Sequence, residues 1–170
     1  SEMGANRQGQ NPVSIAIDLQ GADEYTYSES ETSVEPNLLP ADRDGRYGGG
    51  SGLHGPVTLS NVGRQGSARN GVAMLFDFGG ANDVYRSLRG SQGYAHMGVG
   101  ILFDDGGDDV YLSEAVSQGA AQFGIGILID KGEGNDHREA FTQSQGFGYV
   151  KGAGFLIDGG GDDVYLCNHG

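Results

Sequence analysis

Four stretches of the chain alternate between large apolar and other residues and close on aspartate: VAMLFD (72–77), VGILFD (99–104), IGILID (125–130) and AGFLID (153–158). A period of two predicts strands, because successive side chains of an extended backbone point to opposite faces. Ile125, Ile127 and Ile129 share one face, and the same positions recur as Val99, Ile101, Phe103 and as Val72, Met74, Phe76. These columns are the expected core. Leu75, Leu102, Leu128 and Leu156 fall on the opposite face beside glycines and small residues. They form either a flat apolar strip that needs a cover, from an inserted segment or a second chain, or a row turned inward by a local bulge. A second short strand follows each aspartate turn, as in DVYL (109–112), and a third is expected through the Ser-Gln-Gly segment.

The strands belong to a tandem repeat. Gln65, Gln92, Gln118 and Gln145 open successive copies at intervals of 27, 26 and 27 residues, each continuing as Gln-Gly, the alternating stretch, a Gly-Asp turn and a further strand. A diverged copy over 5–27 carries Gln8-Gly9, SIAID ending at Asp18 and GADEY ending at Tyr25. Residues 28–64 are then an insertion with acidic, Pro and Gly clusters and no periodicity, expected as a surface loop or irregular coil. A fixed period of this length overrides local propensity and points to a solenoid. The expected fold is all-β: a single domain over 1–170, a parallel β-helix of about five coils of roughly 27 residues, with three short strands per coil.

Stacking turns each repeat position into a column of like residues. The glutamines, with Ser91, Ser117 and Ser144 before three of them, read as a structural ladder in which amides satisfy one another. Tyr25, Tyr85, Tyr111 and Tyr165 form an aromatic column interrupted by Arg138, which reads as packing. The candidate chemistry lies in two acidic columns, Asp77, Asp104, Asp130, Asp158 and Asp83, Asp109, Asp136, Asp163. Like charges near the strand spacing repel unless something offsets them. A divalent cation between rungs, with calcium as the expected cofactor, would do so through carboxylates and turn carbonyls. The competing reading has each aspartate accepting backbone N–H bonds in an Asx-type turn.

The turns GEGND (132–136) and GGGDDVY (159–165) resemble the calcium-binding repeats of RTX proteins, and the likeness implies calcium ligation by Asp83, Asp109, Asp136 and Asp163. The whole repeat, over 65–170 and more weakly over 8–25, is similar to a Gly/Asp-rich bacterial β-solenoid repeat of uncharacterised function. That likeness implies fold and not activity.

Composition narrows the partners. With 33 glycines and 36% hydrophobic residues, the chain suits tight turns and close backbone stacking better than a thick apolar core. Its formal charge of −13 disfavours nucleic acid and anionic membranes and favours divalent cations. No apolar run is long enough for a membrane-spanning helix, and the lone Cys167 excludes an internal disulfide. An extracellular, cell-surface or periplasmic setting is expected.

An enzyme is not expected. General acid–base work needs carboxylates in distinct environments, as in a carbohydrate-active β-helix, whereas here the same aspartate recurs in every rung. His54, His96, His137 and His169 occupy unrelated repeat positions, so no zinc site or nucleophile–base pair is supported. No threonine column of the ice-binding kind is present. The expectation is a noncatalytic structural or binding module, calcium-stabilised, with a head-to-tail scaffold as the alternative, because open solenoid ends and an apolar strip offer surfaces for self-association or a protein partner.

Overall fold

The computed structural model of the protein describes residues 13–26, 46–47, 57–58 and 63–169. Within them the chain winds as a β-solenoid of about four turns, and every strand of the three main sheets pairs in parallel with its equivalent one repeat away. The first sheet stacks Val13–Asp18, Val72–Asp77, Val99–Asp104, Ile125–Asp130 and Ala153–Asp158. The second stacks Glu24–Tyr25, Val84–Arg86, Val110–Leu112, His137–Thr142 and Val164–His169. The third is four pairs of residues: Ala68–Arg69, Ala95–His96, Ala121–Gln122 and Gly148–Tyr149. Register is strict, with Leu75 opposite Leu102, Leu102 opposite Leu128 and Leu128 opposite Leu156. The first copy joins in the same register, Asp18 opposite Asp77 and Tyr25 opposite Tyr85. Of the expected insertion, Arg46–Tyr47 and Val57–Thr58 form an antiparallel pair, and most of the rest, with Gln8, lies outside the described residues.

The faces of the first sheet are the reverse of the expected ones. Leu75, Leu102 and Leu128 are fully buried and pack with Tyr25, Tyr85 and Tyr111, so the leucine column is the core. The Val/Ile/Phe column lies outside: Ile15, Ile125, Phe155 and Ile157 are exposed, while Met74 and Ile101 are half-buried. No bulge is involved, because the strands pair residue for residue. The physical reason lies two residues before each leucine. A Cβ at Gly100 would overlap the Tyr94 carbonyl oxygen, and one at Gly126 the Ala120 carbonyl oxygen. Inside a coil this narrow, the Gln-Gly corner presses against the sheet, so the inner face takes Gly or Ala, then Leu, then Asp.

The corner also relocates the third strand. Gln65, Gln92, Gln118 and Gln145 have φ between 50° and 55°, and each following glycine is left-handed too. Two successive left-handed residues turn the chain rather than extend it. The third sheet therefore starts after Ser-Gln-Gly instead of running through it. The glutamines do not bond one another. Gln92 Nε2 donates to the carbonyls of Tyr85 and Leu112 at 2.8 and 3.1 Å, and Gln118 repeats this with Tyr111 and Glu139 at 3.1 and 3.0 Å. Each amide thus clamps two adjacent rungs of the second sheet, a structural role reached by another route.

The inversion of faces sets an expected ranking of variants. Leu102→Ala should cost about 2–5 kcal/mol in urea unfolding, the usual range for emptying a core site. Ile101→Thr, one residue away on the outer face, should cost less than about 1 kcal/mol because β-branching is kept and little burial is lost. The opposite order would restore the face assignment drawn from alternation alone.

Candidate functional site: a buried aspartate column

The aspartate that closes each strand of the first sheet lies on the same inner face as the leucine. Its position places it beneath the hydroxyl of the tyrosine column. Those rings stack face to face, Tyr25 on Tyr85 at 4.9 Å and Tyr85 on Tyr111 at 4.8 Å between centroids. Tyr25 donates to Asp77 Oδ2 at 2.6 Å, Tyr111 to Asp130 Oδ2 at 2.8 Å and Tyr165 to Asp158 Oδ2 at 2.6 Å. Tyr85 bonds to both Asp77 and Asp104. Burial and the adjacent carboxylates push the Tyr85 and Tyr111 hydroxyls far above the ordinary value, so both remain proton donors. The other oxygen of this aspartate often closes a local turn: Asp104 Oδ1 accepts from Gly106 N at 2.7 Å and Asp158 Oδ1 from Gly160 N at 2.9 Å.

The second acidic column is linked from rung to rung. Asp83 Oδ1 accepts from Asp23 N at 2.6 Å, Asp109 Oδ1 from Asp83 N at 2.7 Å, Asp136 Oδ1 from Asp109 N at 2.7 Å and Asp163 Oδ1 from Asp136 N at 2.9 Å. Beside it, an exposed ladder runs the other way: Asp108 N donates to Asn82 Oδ1, Asn135 N to Asp108 Oδ1 and Asp162 N to Asn135 Oδ1. These bonds account for one oxygen of each aspartate in the second column. They do not account for the charge.

Asp77, Asp83, Asp104, Asp109, Asp130 and Asp136 are all at most 3% exposed. Their oxygens gather into triads, Asp77/Asp83/Asp104 and Asp104/Asp109/Asp130, within 4.8 Å of one another. Two unit charges that close repel by roughly 3–4 kcal/mol at an effective dielectric of about 20. Asp109 Oδ2 is buried without a hydrogen-bond donor. The Asp109 and Asp104 carboxyls are neighbours, and two such acceptors can satisfy each other only by sharing a proton or a cation. Burial raises the Asp83 carboxyl to about 7, and burial with neighbouring carboxylates raises Asp104, Asp109 and Asp130 as well.

In the fourth repeat the solution is different. Arg138 takes the tyrosine's place and is fully buried, its guanidinium 5.0 Å from the Tyr111 ring centroid and 5.2 Å from that of Tyr165. Nη2 reaches Asp130 Oδ2 and Asp136 Oδ2, each at 2.8 Å. Nη1 lies 2.7 Å from Asp158 Oδ2, an ion pair without hydrogen-bond alignment, and 4.0 Å from Asp163 Oδ1. The rings contribute cation–π attraction on both sides. A buried guanidinium without partners would be very costly, and here four carboxylates surround it.

The eight aspartates read from the sequence therefore line the inner side of the coil, six of them buried and Asp158 and Asp163 partly buried, while Asp104 and Asp158 also accept a turn N–H as the Asx reading expected. Reasoning from the repeat omitted Asp18 and Asp23, which form a further triad with Asp77, although GADEY aligns with GDDVY. The tyrosines, expected as packing, are the hydrogen-bond donors of the site, and Arg138, expected as a break in their column, is its cation. No protein-family model, curated protein or solved structure matches the chain.

Two outcomes are expected for metal-free protein. Asp83 has a folded-state value near 7 against an ordinary 3.8, so the native state binds the extra proton more tightly. Its contribution to stability is complete below about pH 4 and is lost as pH rises to about 7, the reverse of ordinary acid unfolding. Denaturant titrations in EDTA across that window should show falling stability. Asp109→Asn keeps the Oδ1 acceptor for Asp83 and replaces the orphan oxygen with an amide donor amid neighbouring carboxylates. It should stabilise the metal-free protein at pH 8 by about 1–3 kcal/mol, the scale of an unsatisfied buried polar group. A loss of stability would mean that Asp109 has a counter-charge of its own.

Proposed function

We propose that the protein is a noncatalytic structural or binding module, a solenoid rod whose interior acidic column takes divalent cations, calcium first among them. The observation that carries this reading is the buried triads Asp77/Asp83/Asp104 and Asp104/Asp109/Asp130, whose oxygens lie within 4.8 Å of one another with tyrosine hydroxyls as their neutral company. A hard, oxygen-seeking ion suits such a set. The likeness of the Gly-Asp turns to RTX repeats points the same way, although the carboxylates here face the interior. Repetition supports a noncatalytic role, because every rung but that of Arg138 offers the same aspartate–tyrosine pair rather than one acid and one base held in contrasting surroundings. An extracellular, cell-surface or periplasmic setting, where calcium is plentiful, accords with this chemistry.

A second reading, head-to-tail assembly, draws on two strands. Val13–Asp18 and Ala153–Asp158 each pair on one side only among the described residues and expose Ile15, Ile17, Phe155 and Ile157. The exposed outer face of the first sheet, rather than the leucine column, is then the apolar surface for a partner or a second copy.

Thermal unfolding separates these readings. Saturating calcium should raise the melting temperature by several degrees over EDTA at pH 7.5, since a ligand at 100-fold its Kd contributes about 2.7 kcal/mol. An unchanged melting temperature would leave protons and Arg138 as the charge balance. Light scattering that grows with protein concentration would support assembly, and a monomer at high concentration would refute it.

A further inference from the structure

Two observations besides the clustering of acids bear on what the column holds. The first is the buried Asp109 Oδ2, an oxygen without a donor on a residue of the Asp104/Asp109/Asp130 triad. The second is internal to the repeat: at one rung of the same column a cation is present, and it is a side chain. The Arg138 guanidinium lies between Tyr111 and Tyr165 at ring-stacking distance, with carboxylate oxygens of Asp130, Asp136 and Asp158 within 2.8 Å of its nitrogens. At the rungs below, a tyrosine reaches the equivalent aspartates, but its hydroxyl brings a proton donor and no charge.

We propose that Arg138 is a tethered cation, occupying in the fourth repeat the place that a free divalent cation takes at Asp77/Asp83/Asp104 and Asp104/Asp109/Asp130. This rests on the cation-binding reading of the column and adds which rungs bind and which does not. The triads themselves carry the mark of the substitution. The three lower ones, Asp18/Asp23/Asp77 among them, each combine two strand-end aspartates with the turn aspartate between them. Continuing that pattern upward would give Asp130/Asp136/Asp158. The fourth-repeat triad is Asp136/Asp158/Asp163 instead, because Arg138 Nη2 is inserted between Asp130 and Asp136.

The dimensions suit an ion. Three oxygens no more than 4.8 Å apart have a centre at most about 2.8 Å from each, and a small inward rotation of the carboxylates reaches the 2.3–2.6 Å of calcium–oxygen bonds. The hydroxyl oxygens of Tyr85 and Tyr111 stand at the same carboxylates as further donors. A site enclosed by tyrosine rings and leucines favours calcium, which sheds its water readily, over magnesium, which keeps several waters.

The test restores the repeat. Arg138→Tyr installs the residue found at this position in the other four copies, Arg138→Gln removes the charge without adding a ring, and Arg138→Lys keeps a charge. Calcium alone is titrated into each 170-residue chain by calorimetry, and melting is followed in EDTA and in calcium. Arg138→Tyr and Arg138→Gln should each bind one more calcium per chain than the unaltered protein, melt lower in EDTA and gain a larger calcium-induced shift. Arg138→Lys should keep the original stoichiometry. Calcium binding by the unaltered protein with no additional ion in either neutral variant would overturn the role of Arg138 and leave the cation-binding reading intact. Absence of binding by every chain would overturn both. A neutral variant that folds only in calcium supports the proposal. One that fails to fold even in calcium counts against it, since the ion is required to replace the lost charge.

Discussion

The spacing of a parallel β-solenoid is set by backbone hydrogen bonds, and it obliges every residue type to tolerate its own copy directly above and below. For leucine and tyrosine that obligation is favourable: like packs on like, and rings stack at 4.8–4.9 Å. For aspartate it is adverse, and this chain places two aspartates per rung inside the coil. The remainder of the interior is arranged around that difficulty. Tyrosine hydroxyls cover one oxygen of the first column, backbone amides of the rung below cover one oxygen of the second, and Arg138 supplies positive charge once.

This division of labour explains why the same small set of residues recurs together. Glycine or alanine two positions before the leucine allows the Gln-Gly corner to approach, the corner directs each glutamine amide onto the second sheet, and that clamp holds the tyrosine strands at the height where their hydroxyls meet the aspartates. The side-chain bonds and the sheets reinforce one another. Removing a leucine or a glutamine is then felt at the aspartate column, and filling the column is felt as stability of the whole rod.

The repeat made the architecture legible. Gln65, Gln92, Gln118 and Gln145 set the period, and equal spacing alone predicts that Asp77 lies against Asp104 and Asp83 against Asp109. Alternation could not tell inside from outside, because both faces of VGILFD offer apolar residues; the deciding feature is the glycine, whose absent side chain matters only against a neighbouring backbone that lies on the inner side. The inward direction of the aspartates was hidden for the same reason. It follows from their sharing a face with the leucine, two residues earlier on the same strand. Arg138 looked like an interruption of an aromatic column; only the ring-to-guanidinium distances and its four carboxylate neighbours reveal a substitution of charge for hydroxyl.

The exposed Val/Ile/Phe face and the buried acidic column sit on opposite sides of the same strands, so one sheet couples a surface suited to protein contact with an interior suited to ions. Crystals grown with manganese or a lanthanide and read by anomalous scattering address the interior directly. Peaks are expected at the Asp77/Asp83/Asp104 and Asp104/Asp109/Asp130 triads and none beside Arg138. Empty triads in such crystals, with the paired carboxyl oxygens drawn to short proton-sharing distances, would contradict it.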